Sequence, residues 1–211
     1  RKMKVKIFRA WSDIGSNWYK DFYTRNGFEI SLLEYISEIN LDKFFIEDFE
    51  SSVSRFKKNA YVISNLQELK KLYADWETKM FGLWKRIEHD VPSDINLDLE
   101  FDLWKSYIFC PWFKEEDVYI VMDGDKWIAL STYTRSLRSS EIISTQLTGV
   151  LPEYRRQGIC SAVKVHALVD LKKKGFKVVL TGNEENNPML QINLGFGFKK
   201  VGEEFGCKLA L

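Results

Sequence analysis

Residues 118–180 carry the pattern that limits the fold most: three consecutive strand signals, one long helical period, then a fourth strand. Val118 to Met122 and Trp127 to Arg135 flank Asp123-Gly124-Asp125 and read as an antiparallel hairpin, and Glu141 to Val150 continues as a third strand. Gln157 to Lys174 sets Ile159, Ala162, Val163, His166 and Val169 at helical spacing and ends at Gly175, ahead of the apolar strand Phe176 to Leu180. A strand reached through a crossover helix runs parallel to the strand before it. An antiparallel meander with one parallel crossover predicts an α+β fold, a mixed but mostly antiparallel sheet flanked by helices.

Upstream, Met3-Lys4-Val5-Lys6-Ile7 alternates like a strand and runs into a polar stretch, Ser12 to Asn17. A short helix is expected from Trp18 to Asn26-Gly27, then an apolar run from Phe28 to Tyr35. Asp42 is placed to cap a linker helix over residues 42–58, with Phe44, Phe45, Phe49 and Val53 on one face. A new pattern starts with the strand Tyr61-Val62-Ile63, and Asn65 three residues before Glu68 opens a helix to about Ile87. Beyond Asp90-Val91-Pro92, a second helix is expected over Leu99 to Tyr107. Residues 2–41 overlay on 172–211 at an offset of 170, matching Asn17 with Asn187, Gly27-Phe28 with Gly197-Phe198 and Leu41 with Leu211. Both segments have the order strand, polar turn, short helix, Gly-Phe, strand, as an internal repeat would. Two unrelated strand–helix–strand pieces would read the same way.

With 45% apolar residues and seven Trp the chain can fill a core, so disorder is excluded. Lys plus Arg number 31 against 30 Asp plus Glu, and this balance creates no general field for nucleic acid or an anionic membrane. The basic runs Lys57-Lys58 and Lys172-Lys173-Lys174 are short. Any anion site must therefore be local. Cys110, Cys160 and Cys207 are odd in number and far apart, which points to free thiols in a reducing compartment, with the cytoplasm expected. His89 and His166 stand in no metal-ligand spacing, and no metal is expected. No apolar stretch approaches the ~20 residues of a membrane span, and the start lacks a signal-peptide core. Because it begins at Arg1, the numbering is expected to start inside a longer chain.

The chemistry is concentrated in Leu147-Thr148-Gly149-Val150-Leu151-Pro152-Glu153-Tyr154-Arg155-Arg156-Gln157-Gly158-Ile159-Cys160-Ser161. A strand ends, a loop with two arginines follows, and a helix opens at Gly158 with small residues in its first turn. The first amides of a helix lack internal partners and lie at the positive end of its dipole, so they suit phosphate oxygens. A glycine there lets a ligand approach the backbone closely. An ordinary surface turn with solvated arginines has the same composition.

Arg155, Gly158 and Cys160 resemble the Q/R-x-x-G-x-G/A pyrophosphate motif of the GNAT superfamily of acyl-CoA-dependent N-acetyltransferases, with Cys160 in place of the usual Gly or Ala. Asn186-Asn187-Pro188-Met189-Leu190, Asn193 and Gly197-Phe198 are similar to the family's cofactor-side Asn, short helix and closing Gly-Phe. The resemblance covers residues 59–211 as one GNAT domain, and its form is similar to tandem GNAT proteins, the mycothiol synthase-like type. Residues 1–41 then look like the C-terminal remnant of a preceding GNAT-like domain.

The resemblance implies acetyl-CoA as cofactor, held by Thr148, Gly149, Val150, Arg155, Arg156, Gln157, Gly158, Ile159, Cys160, Ser161, Asn186 and Asn187. It implies transfer of the acetyl group to a primary amine, on a small molecule or peptide, by direct attack in a ternary complex. Strands 141–150 and 176–181 should splay, with Gly149 as the irregular site. The Leu147 N–H would then serve as oxyanion donor and Glu141, through water, as base, although a solvated glutamate at the start of a strand explains Glu141 better. Cys160 at a helix N-terminus raises the prospect of a lowered thiol pKa, although it reads best as a small residue beneath phosphate. Asn193 stands where many relatives place an acidic tyrosine, and an amide cannot give up a proton in that way. Acidic residues Asp90, Asp94, Asp98, Glu100 and Asp102 lie where the family has its acceptor side, and Trp104, Trp112 and Phe113 are placed to wall that cleft, although a solvated loop and core filling explain the two sets equally well. The rival function is a non-catalytic acyl-CoA-binding or assembly module. Apolar residues Val5, Ile7, Phe8 and Phe22 should form a surface needing a cover, either a missing N-terminal half or a partner chain such as a homodimer mate.

Overall fold

The structure is a computed structural model and describes residues 6–12, 17–92 and 100–211. Met3 to Val5, the polar residues between Ser12 and Asn17, and Asp94, Asp98 and Leu99 fall outside the described residues. In chain order the elements are β1 (Ile7–Trp11), α1 (Asn17–Arg25), β2 (Glu29–Asn40), α2 (Glu50–Val53), β3 (Val62–Asn65), α3 (Leu66–Leu72), α4 (Trp76–Glu88) and α5 (Phe101–Ile108). They continue with β4 (Phe113–Asp123), β5 (Lys126–Arg135), β6 (Ile142–Val150), α6 (Ile159–Lys173), β7 (Val178–Glu184), α7 (Pro188–Gly195) and β8 (Lys199–Ala210).

The chain forms two compact units, one from 1–38, 92–96 and 181–211, the other from 39–91 and 97–180. Hydrogen-bonded neighbours run β1-β8-β2-β7 in the first and β7-β6-β5-β4-β3 in the second, with β7 contributing to both orders. In the second unit β3, β4, β5 and β6 pair antiparallel, and β6 pairs parallel with β7 at Ile142↔Val178, Ile143↔Val179 and Ser144↔Leu180. Gly124, at φ +56°, makes the tight turn between Asp123 and Lys126, a conformation that favours glycine. Strand alternation gives this sheet two apolar faces. Leu130, Leu147, Val118 and Ile120 pack with Leu83, Trp84 and Ile87 of α4, Leu69 of α3, and Trp104 of α5. Phe113 belongs to the same core as Trp104, whereas Trp112 is exposed. Helix α6 packs against β4, β5 and β6, burying Ile159, Ala162, Val163, Val165, Ala167, Leu168 and Leu171, while His166 and Lys173 stay exposed.

Three expectations change. Residues 65–88 form two helices, although Asn65 does cap the first, its side chain accepting from the Glu68 N–H at 3.0 Å. Tyr73 breaks the run in extended conformation. Its hydroxyl donates to Asp125 at 3.0 Å and its ring meets Trp127 edge-on at 5.9 Å, so tertiary contacts override helical spacing. The 42–58 linker is a series of short turns with α2 as its only α-helical piece among the described residues, and its first cap is Asn40, not Asp42. The strands near the N-terminus, expected either to pair with each other or to complete a second sheet, do not pair with each other: β1 and β2 both pair antiparallel with β8. Nor does β1 lie beside 127–135. Ile7, Phe8 and Phe22 are exposed, as expected, whereas Val5 is outside the described residues.

Candidate anion-binding loop and its surroundings

Strand β6 leads straight into the loop. Leu151 closes the ladder by donating its N–H to Ile128 O at 2.9 Å, and Pro152–Tyr154 makes one 3-10 turn. Arg155 is extended, Arg156 adopts φ +64° and Gly158 φ +79° immediately before α6. A left-handed arginine costs about 1–2 kcal/mol, so surrounding contacts must hold it there. Arg55 donates to the Arg156 carbonyl at 3.4 Å, and the Tyr61 hydroxyl donates to Gln157 Oε1 at 2.6 Å. Glu153 takes Arg86 at 3.0 Å and Lys126 at 3.3 Å, while the Tyr154 hydroxyl donates to Asp123 at 3.0 Å. The loop is therefore braced from β3, α4 and the β4–β5 turn.

The two arginines have different tasks. Arg155 donates from Nε to Val150 O at 3.2 Å and from Nη2 to Asp90, whose carboxyl this hydrogen bond holds below its usual range. Asp90 is thus a brace, and Arg155 is already engaged within the protein. Arg156 is exposed, and its guanidinium has no protein partner among the described residues. Helix α6 makes its first internal bond from Ala162 N to Gly158 O at 2.9 Å, so the amides of Ile159, Cys160 and Ser161 precede the ladder, and no side chain caps them. The half-exposed first turn and a free arginine suit an anion.

The outer edge of β6 is the second feature. Its ladder to β7 stops at Ser144, and β6 continues six residues to Val150. The irregularity is at Gln146, where Thr132↔Leu147 is followed by Tyr133↔Thr145, and not at Gly149. Gly149 instead allows α4 to approach: a Cβ there would lie 2.1 Å from Ile87 Cγ2. The Leu147 N–H is also not available, because it donates to Thr132 Oγ1 at 3.1 Å in a buried setting. Since the Leu147 and Leu151 amides face β5, alternation turns those of Thr148 and Val150 to the opposite edge.

Beneath the loop, on the side of the sheet covered by α6, the Ser131 hydroxyl bonds to Tyr133 OH at 3.1 Å and to Thr148 Oγ1 at 2.8 Å. Burial pushes the Cys160 thiol up, outweighing the Lys164 ammonium that lowers it, so it is no thiolate nucleophile. His166 is on the exposed side of α6, and partial desolvation by its neighbours, then Lys173 and Lys174, lower its imidazole from the usual value against Asp170, which raises it.

Other expected site residues are placed apart. Glu141 is exposed before β6, at the paired end of the ladder, where its carbonyl accepts from Lys177 N at 2.8 Å. It is six residues, or about 20 Å of strand, from Leu147. Asn186 and Asn187 belong to the other unit. There Asn187 caps α7 by accepting from Met189 N at 2.9 Å, and Asn186 donates to Glu184 at 2.9 Å. Asn193 is fully buried and donates to Asn183 Oδ1 at 2.7 Å. A cavity of about 390 Å³ lined by Gln67, Phe109, Cys110, Phe113 and Glu115 opens at the far end of β5 from the loop, and its Glu115 and Glu116 are paired with Lys70 and Arg135. Among the described residues no three His, Cys, Asp or Glu side chains group as metal ligands, and no helix is long and apolar enough to cross a membrane.

No family model and no curated protein matches the sequence. Solved structures do. A GCN5-related glucosamine N-acetyltransferase region of a fungal multi-domain GH3 beta-N-acetylglucosaminidase matches 93% of this chain and 23% of its own length, with TM-score 0.66 and 15% identity. A GCN5-related N-acetyltransferase from Sphaerobacter thermophilus matches 97% of this chain and 59% of its own, with TM-score 0.65 and 12% identity. A tandem GNAT protein from the clavulanic acid biosynthesis pathway gives 97%, 64%, TM-score 0.65 and 11% identity. The chain thus spans from about a quarter to just under two thirds of these three, and it has the GNAT fold.

Proposed function

We propose that the chain is an acetyl-CoA-dependent N-acetyltransferase that moves an acetyl group to a primary amine by direct attack in a ternary complex. The observation that carries this reading is the braced turn ending in left-handed Gly158, with the exposed Arg156 beside the opening amides of α6. Those amides and Arg156 fit a diphosphate, and the cofactor supplies an activated thioester. Arg155, Gln157 and Glu153 hold the loop in shape rather than neutralise the ligand. The outward amides of Thr148 and Val150 can pair with an extended amide-bearing arm along β6, and the Thr148 N–H replaces that of Leu147 as candidate oxyanion donor. Orientation of the amine supplies the remaining acceleration.

In the same proposal residues 1–41 are the C-terminal part of a preceding GNAT-like domain, 42–58 the connection and 59–211 the acetyltransferase domain, working in the cytoplasm. The equal spacing of the two strand–helix–strand copies supports this division. The second reading, a non-catalytic acyl-CoA-binding module, is favoured by the burial of Asn193 at the position of the usual acid. Release of the CoA thiol from acetyl-CoA with a panel of primary amines separates them. Amine-dependent release supports the enzyme; tight binding without release for any amine supports the module, and absence of binding removes both.

A further inference from the structure

Arg55 reaches the anion loop from a distant part of the sequence. It lies on the segment ahead of β3, two residues beyond α2, which packs against α6. Two contacts fasten that segment to the loop: Arg55 Nη1 donates to the Arg156 carbonyl at 3.4 Å, and the Tyr61 hydroxyl donates to Gln157 Oε1 at 2.6 Å. Between them the chain is held in a turn, with the Lys58 N–H and the Asn59 side chain both donating to the Arg55 carbonyl, at 3.3 and 3.1 Å. The guanidinium is thereby set beside Arg156, three residues and at most about 10 Å of chain before Ile159, where α6 opens.

The balance of charge there is uneven. Among the described residues the carboxylates that contact the loop are engaged elsewhere: Asp90 takes Arg155, Glu153 takes Arg86 and Lys126, and Asp123 takes the Tyr154 hydroxyl. Arg55 and Arg156 are both exposed, and no carboxylate of that set is paired with either. Like charges on one short stretch repel, and an anion beside them relieves the repulsion. Bracing a carbonyl needs no charge, since a side-chain amide donates equally well in kind. At 3.4 Å the bond to the Arg156 carbonyl is long, and the guanidinium has further donors to give. The same contacts set an order along the loop. Arg155 stands at the end of β6, where its Nε holds Val150 O at 3.2 Å, Arg156 comes next, and Arg55 meets it there.

We propose that Arg55 is a specificity-determining residue for the cofactor: it takes the phosphomonoester on the ribose of acetyl-CoA, while Arg156 and the α6 amides take the diphosphate. This rests on the acetyl-CoA reading of the loop. With the arm along β6 and the diphosphate on the opening turn of α6, the ribose and its phosphate lie past Arg156, where Arg55 stands. A phosphomonoester carries about 1.5–2 negative charges at neutral pH. A guanidinium offers it two parallel N–H donors, which an ammonium cannot. Acetyl-CoA is then preferred over 3′-dephospho-acetyl-CoA by about tenfold, the worth of one charge-assisted contact. Being exposed, the contact weakens as salt screens it.

The test is titration calorimetry of the chain with acetyl-CoA and with 3′-dephospho-acetyl-CoA. The expected result is a Kd about tenfold weaker for the dephospho form, with the gap closing as salt is raised. Arg55→Gln keeps a donor for the Arg156 carbonyl and removes the charge, so it should weaken acetyl-CoA alone and bring the two ligands to the same Kd. Arg55→Lys should restore part of the gap. A gap that survives Arg55→Gln, with both ligands weakened alike, makes Arg55 a brace and overturns the assignment. Equal binding of the two ligands by the wild type overturns it as well, whatever the stability of the variants, and leaves the cofactor reading intact. Binding of neither ligand removes the cofactor reading and the assignment with it.

Discussion

Glu34 and Glu204 face each other across the β2–β8 ladder, and they stand 170 residues apart, the offset at which the two ends of the chain overlay. A residue paired antiparallel with its own repeat equivalent marks a local two-fold axis. The rest of the unit agrees: Glu29–Asn40 maps onto Lys199–Ala210, Gly27 at φ +81° onto Gly197 at φ +86°. Phe28 N donates to Tyr23 O at 3.0 Å, as Phe198 N does to Asn193 O at 3.1 Å. Each copy has exchanged its first strand, so that β1 neighbours β8 and β7 neighbours β2. The repeat is therefore one of structure as well as of sequence.

The axis places like charges together. Burial, then Glu204 and Glu184, push the Glu34 carboxyl up. An acid with a raised folded value contributes stability at pH below its unfolded value and loses it as pH rises through the folded one. Glu34→Gln should therefore stabilise the chain by about 0.5 kcal/mol at neutral pH and by nothing at acid pH. Equal gains at both pH values in denaturant titrations would show that charge is not the cause.

Gly149→Ala should destabilise by about 1–3 kcal/mol, because its Cβ has no room beside Ile87. The cost should shrink in an Ile87→Ala background, giving a favourable coupling energy in a double-mutant cycle. Strict additivity would mean that α4 shifts freely and that the close approach is not what requires glycine.

The order of strands, the crossover helix and the loop were legible because each rests on local rules: alternation in 118–150, helical spacing in 159–169, and a glycine before α6. The division of labour between Arg155 and Arg156 was not. It depends on Asp90, Arg55 and Tyr61, which are distant in sequence and carry no spacing signal. The Leu147 amide failed for a related reason, since Thr132 reaches it only once the Gln146 bulge sets the register.

That division predicts a separation of effects. Arg156→Ala should weaken acetyl-CoA binding by about tenfold, the worth of one charge-assisted contact, with little change in melting temperature. Arg155→Ala should lower stability measurably, since Asp90 and the Val150 carbonyl lose their donor. A reversal of the two phenotypes would assign ligand contact to Arg155.

Asp117 is fully buried and binds Arg135 Nε at 2.7 Å and Lys174 Nζ at 3.1 Å. Asp117→Ala leaves two cations sharing no carboxylate and should cost about 3–5 kcal/mol, the scale for breaking a buried ion pair. Arg135 also keeps Glu116, and Lys174 keeps Asp170, so a loss nearer the lower value is expected. Denaturant unfolding at neutral pH gives the number, and a loss under about 1 kcal/mol would make the cluster a solvated one.

Asn193 offers the sharpest check on catalysis. If an acid were merely missing, Asn193→Tyr should speed CoA release. The structure argues otherwise, because the side chain has no exposure and its amide donates to Asn183. A phenol at that position must displace packed neighbours and strand the Asn183 carbonyl, at about 2–4 kcal/mol together. The variant should melt lower and show no faster amine-dependent release at any pH. Wild-type stability with accelerated release would place the departing thiolate beside α7 and restore position 193 as the site of the general acid.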